Sequence, residues 1–145
     1  MGIQIDADVP NCSECGALSH DRLTCQERLH GILALEQRDT ELQALHFLTV
    51  AAYNIQHPAQ FTDDALTGLR ESFIEYLSGK ITTEEIRHRT NLVFNGPKRV
   101  TKPALERTPI LRCWEMTTAD VFLPFQPQGT AERVKKWAES IKNEL

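Results

Sequence analysis

Long apolar runs are missing from this 145-residue chain. None approaches the ~18 residues that a membrane-spanning helix requires, so no membrane span is expected. Residues 1–10 carry Asp6 and Asp8 and no basic segment, unlike a secretory signal. Met1-Gly2 lacks the Ser or Thr at position 6 that myristoylation needs. Cysteine is scarce, and four residues are too few for a disulfide scaffold. There is no bulk excess of positive charge: the net charge of −4 argues against a basic nucleic-acid binder. Internal repeats, low-complexity tracts and strong strand signals are also lacking.

What is there is ordinary globular composition. Hydrophobic residues make up 41% and charged residues 25%, which excludes disorder, collagen and a solenoid as the main architecture. The length suits one domain, 1–145, able to bury roughly 68–70% of its unfolded surface. The chain reads as cytoplasmic, where thiols stay reduced, so its cysteines are expected to be metal ligands, nucleophiles or core residues.

Charge is uneven along the chain. Residues 1–40 carry a net −4, residues 41–96 a net −3 and residues 97–145 a net +3. Lys98, Arg99, Lys102, Arg107 and Arg112 stand against Glu106 alone in residues 97–112. Such a stretch suits an acidic partner or phosphates, or simply forms a solvated loop on an acidic body.

The pattern predicts an all-α bundle. A first helix begins near Asp21 or Thr24 and runs to about Arg38, with Leu29, Ile32, Leu33 and Glu36 on one face. After a short connection at Asp39-Thr40, residues 42–56 are apolar nearly all round, which marks a central helix, and Pro58 ends it near His57. Thr62 caps a third helix with stripe Leu66, Leu69, Phe73, Ile74 and Leu77, closed by Gly79. Thr82 and Glu85 form a capping box for a fourth helix ending near Val93. Residues 97–128 hold five of the seven prolines and read as an extended arm. Trp114, Val121, Phe122 and Phe125 are its expected anchors, and Thr118 the cap of a single helical turn. Val134, Trp137, Ala138 and Ile141 give one face of a last helix from Thr130 to about Asn143.

The sharpest chemical feature is Cys12-x-x-Cys15-Gly16. The spacing lets two thiolates share one tetrahedral metal, and glycine lets the turn tighten. A thioredoxin-like redox pair needs a βαβ context that the pattern does not provide. Cys25, at the start of the first helix, adds a third thiol whose pKa the helix N-terminus lowers. Cys113, beside Trp114, is expected to be a buried small hydrophobe.

Hairpin geometry ranks the histidines. If the first two helices fold back at Asp39-Thr40, the position opposite Cys25 lies near 54, within a turn of His57. His46 lies roughly 16 Å from His57 at 1.5 Å rise per residue, so both cannot bind one ion. Cys12, Cys15, Cys25 and His57 therefore form the best closed set for zinc within a knuckle over residues 1–25, with iron a weaker candidate and His20 or His46 the rivals to His57. On that reading His46 is a core histidine held by a hydrogen bond, or else a base or second ligand. His30 and His88 are surface residues. Asp120 is an exposed cap or turn residue, or a group meeting His46, Arg87 or Arg89 across the bundle.

The quoted residues resemble a family of uncharacterised bacterial proteins known as a domain of unknown function. Its pattern pairs a CxxCGA opening with a helix reading H-x-L-T-V-x-A-Y-x-x-Q-H-P, as in Cys12 to Ala17 and His46 to Pro58. Trp114-x-x-Thr117-x-Ala119-Asp120-Val121 and Val134-x-x-Trp137-Ala138-x-Ser140 extend the resemblance over most of the chain. The resemblance implies no activity or partner, but it points to Cys12, Cys15, Cys25, His46, His57 and Asp120.

The sequence thus leads to a single helical domain whose zinc is structural and whose role is that of a binding or accessory module. A zinc-dependent enzyme, of hydrolase or thiol-transferase type with an open metal position near His46 or His57, is the rival. A nucleic-acid or regulatory module using the basic arm is the third reading. The partner, protein or small molecule, is not named by the sequence.

Overall fold

The computed structural model describes residues 9–96 and 99–145, with the Phe94 side chain left aside. The expectations placed on residues 1–8, and on Pro97 and Lys98 at the start of the arm, lie outside the described residues. Seven α-helices occur among those described: α1 Cys25–Leu35, α2 Thr40–Ala44, α3 His46–Gln56, α4 Asp63–Leu77, α5 Thr83–Phe94, α6 Thr118–Val121 and α7 Thr130–Glu144. No strand is formed among them, and a single bridge joins Phe61 to Thr101.

Local chemistry sets most helix starts. Thr24 accepts from the Glu27 amide and Glu27 answers to the Thr24 amide, a reciprocal box that opens α1. Thr62 caps α4, and Thr82 with Glu85 boxes α5. The cap of α6 is Thr117, one residue earlier than expected. Its hydroxyl accepts from the Ala119 amide while Asp120 accepts from the Thr117 amide at 2.9 Å. Asp120 is thereby occupied as an exposed capping residue.

The expected 42–56 helix is two helices. The Leu45 amide reaches back three residues to Leu42, tightening the turn, and α3 restarts at His46. His46, the first residue after the break, is exposed, so the expected core histidine lies at the surface. Its Nδ1 lies 2.9 and 3.1 Å from the two carboxylate oxygens of Glu36, which is buried at the end of α1.

α3 lies at the centre, packed on α1, α4 and α7, while α6 bridges α1 and α7. Leu48, Ala51, Ala52 and Ile55 of α3 meet Val134, Trp137, Ala138 and Ile141 of α7 in one core with Ile32, Leu42 and Phe73. One expected anchor and one expected stripe residue face water instead. Phe125 is exposed beyond the end of α6, where Phe122 and Val121 already fill the interior, and Ile74 sits at the edge of the α4 stripe.

One polar link runs through the core. Trp137 Nε1 donates to Gln56 Oε1 at 3.2 Å, and Gln56 Nε2 donates to the Met116 carbonyl at 2.7 Å. Both ends of a fully buried amide are therefore used. Trp137→Phe keeps an aromatic side chain but removes the pyrrole part of the indole with this donor, and is expected to cost about 1–3 kcal/mol in urea unfolding. Trp137→Ala is expected to cost about 3–5 kcal/mol. Wild-type stability in the phenylalanine variant would show that the indole bond contributes nothing.

Candidate metal centre

The first half of the centre is a backbone knuckle. The Cys12 amide donates to the Ala17 carbonyl and the Gly16 amide to the Cys12 carbonyl, both at 3.0 Å. Gly16 closes this turn with φ of +77°, a conformation that favours glycine. A side chain there would also meet Cys113 Sγ at 3.0 Å. Cys113 is exposed, not buried as expected, because its neighbours Arg112 and Trp114 turn their amides to Glu14 and Cys15 and leave its own side chain on the outer surface of the knuckle.

The second half comes from α1 and α3. Cys25 opens α1 directly after its cap, and His57 follows the last residue of α3, where Pro58 begins a 3₁₀ turn over Pro58–Gln60. Glu14 Oε1 accepts from the Ala59 amide at 3.0 Å, tying the knuckle to that turn. The donor atoms of Cys12, Cys15, Cys25 and His57 then lie within 4.8 Å of one another, and all but Cys12 are buried. Cys12 Sγ is 3.5 Å from His57 Nε2, and Cys15 Sγ is 3.5 Å from Cys25 Sγ. A tetrahedral ion with bonds of ~2.3 Å to sulfur and ~2.0 Å to nitrogen has edges of roughly 3.5–3.8 Å. The group is thus of a size and chemistry able to hold a metal ion. It includes neither His20, which is exposed, nor His46 at the opposite end of α3.

The imidazole is set in its orientation by a second contact. His57 Nδ1 donates to the Tyr53 carbonyl at 2.7 Å, which turns Nε2 towards the sulfurs. Tyr53 also stacks on the ring, centroids 4.2 Å apart. Burial opposes charge on His57, but hydrogen bonds with Cys12 and Cys25 outweigh it and push the group up to about 10. Hydrogen bonds from Cys15 and Cys25 hold the Cys12 thiol far below its usual range, and the same kind of contact with Cys12 and Cys25, added to burial, pushes Cys15 far above it.

One residue of the centre was not picked out from the sequence. Arg28 is only 1% exposed, one turn along α1 from Cys25. Its guanidinium donates to both carboxylate oxygens of Asp21, to the Leu18 carbonyl at 2.6 Å and, at 3.7 Å, to Cys25 Sγ. Hydrogen bonding to Arg28 holds the Asp21 carboxyl below the usual carboxylate range. The signal that could have exposed it is the spacing Cys25, Arg28, Ile32: an arginine occupies a position on the inward stripe. A cleft of about 260 Å³ lies beside this part of the centre, bordered by Asn11, Cys12, Ser19, Thr24, Cys25 and Arg28.

The fold and the centre together describe an all-helical protein with a Cys₃His group near its N-terminus. Residues 10–145 match the family of unknown function DUF5946, and the chain belongs to that family. Neither the curated proteins nor the solved structures give a match.

Two outcomes test the centre's supports. Arg28→Met keeps the stem and removes the fork, leaving the Leu18 carbonyl without this donor and Asp21 with the Leu23 amide at 3.0 Å in place of the ion pair. It is expected to cost about 3 kcal/mol in urea unfolding at fixed metal content, and Arg28→Lys to recover only part of that. A neutral effect would show the ion pair to be dispensable. Burial, then the charges of Cys25 and Cys12, push Tyr53 up to about 12. A folded value above the unfolded one of about 10 gives stability that is complete below about pH 10 and lost as pH rises towards 12. Wild type should therefore lose more stability across that window than Tyr53→Phe, and parallel curves would rule the tyrosine out.

Proposed function

We propose that this chain is a single-domain, cytoplasmic zinc protein, its ion held by Cys12, Cys15, Cys25 and His57, acting as a binding or accessory module. The observation that carries the reading is the size and chemistry of the four-residue group: three sulfurs and one imidazole nitrogen within 4.8 Å. Four protein ligands leave no open position, which is the pattern of structural zinc. The ion would clamp the knuckle onto α1 and the end of α3, so its binding energy would enter folding directly. No helix among the described residues is long and apolar enough to cross a membrane. Three thiolates require a reducing compartment, which is why we place the protein in the cytoplasm.

The cleft beside Cys12 and Cys25 supports a second reading, a zinc-dependent enzyme in which water replaces one of the four ligands. Its chemistry would then lie at that cleft.

Metal analysis with X-ray absorption on freshly purified, untagged protein separates the two. The expected result is one zinc per chain with three sulfur neighbours and one nitrogen. Cys15→Ser and His57→Ala should each lower zinc occupancy and the thermal midpoint together, and wild type should release zinc as pH falls and the thiolates take up protons. Two sulfurs with a water oxygen would move the assignment to the enzyme. Protein that carries no metal and takes up none would overturn both readings.

A further inference from the structure

Residues 103–113 are exposed at every position. Three of them are large and apolar: Leu105 is 100% exposed, Ile110 78% and Leu111 58%. This is no loose tail, because both ends are fastened. At one end Thr62 donates to the carbonyls of Arg99 and Val100, and the Lys102 amide donates to Gln60. At the other, the Arg112 amide donates to Glu14, its guanidinium donates to the Glu144 carbonyl at 2.7 Å, and it lies 3.8 Å over the Trp114 ring. Pro103 and Pro109 restrict the backbone between them. Three apolar side chains are therefore held out in water on a preorganised loop, a feature that marks an interaction surface.

We propose that this loop docks on a second copy of the chain, giving a two-fold dimer by reciprocal loop exchange. The proposal deepens the binding role above and rests on that reading. Charge selects the occupant. Residues 97–112 carry a net +4 and the rest of the chain a net −8, so the loop complements the body of its own protein. Arg99, Lys102 and Arg107 supply the basic groups near the apolar ones, Arg112 being turned back onto Trp114 and Glu144. Nucleic acid fits less well: residues 97–112 contain no aromatic ring on which a base could stack, and they carry three large aliphatic side chains. An isologous contact uses each copy twice, as donor of the loop and as acceptor.

Sedimentation velocity of the freshly purified, untagged protein tests this, from about 1 to about 100 µM at physiological salt. Wild type should show a concentration-dependent dimer that weakens as ionic strength rises. The triple variant Leu105→Ser, Ile110→Ser, Leu111→Ser should weaken the dimer at least about tenfold. Its helical circular dichroism and metal content should stay at wild-type values, because all three side chains are already exposed in the isolated chain. A wild type that remains monomeric at about 100 µM overturns the proposal, as does a triple variant that dimerises equally well. A monomer that shifts a single-stranded oligonucleotide with steep salt dependence overturns it in favour of nucleic acid. Metal content measured on the same samples keeps the two readings apart: metal-bound monomer sinks the dimer alone, whereas metal-free protein sinks the metal centre.

Discussion

Three sulfurs and an imidazole, crowded within 4.8 Å and mostly out of water, cannot all settle their charge and hydrogen bonding alone. Contacts among them push the Cys12 thiol down, the Cys15 thiol up and the imidazole up from their ordinary ranges. A divalent ion held there would relieve this crowding, since one double charge among three thiolates would leave a net −1. Arg28, a buried cation within hydrogen-bond reach of Cys25, lies where that remaining charge would fall.

The rest of the fold reads as the means of holding these groups in register. α3 carries His57 at one end and, through Gln56, is bonded to both α7 and the segment leading into α6. α1 carries Cys25 and Arg28, and Arg28 reaches back to Leu18 and Asp21 and forward to Thr118 of α6. Glu14 fastens the knuckle to Ala59, while Arg112 and Trp114 fasten the returning arm to the knuckle. The N-terminal turn, the helix core and the arm therefore converge on one region. The base of the exposed loop is therefore fastened to the same knuckle that carries Cys12 and Cys15.

A second polar feature lies apart from the centre. Glu36 is buried at the end of α1 and meets His46, whose ring faces solvent at the start of α3. The pair joins the first helix to the third at the turn where the chain reverses. Its geometry matches a fastening of two helix ends, with the histidine shielding a carboxylate that would otherwise sit unpaired in a poorly solvated place.

Much of this protein could be read from local chemistry. Thr24 with Glu27 and Thr82 with Glu85 announce helix starts, Pro58 stops α3, and Cys12-x-x-Cys15-Gly16 announces a tight turn bearing two sulfurs, because each depends on neighbours within four residues. Hydrophobic periodicity also made the chain all-helical. That Cys25 and His57 face that turn was legible too, from the fold-back of the first helix on the next, and the packing of α1 on α3 carries it out. Only the packed structure decided the break at Leu45, the inward Arg28, the outward Cys113 and Phe125, and the exposure of Leu105, Ile110 and Leu111. Periodicity states that a side chain is apolar or charged, but only the packed structure settles which of several such side chains finds room inside, because the interior is finite and is filled by competition among segments distant in the chain.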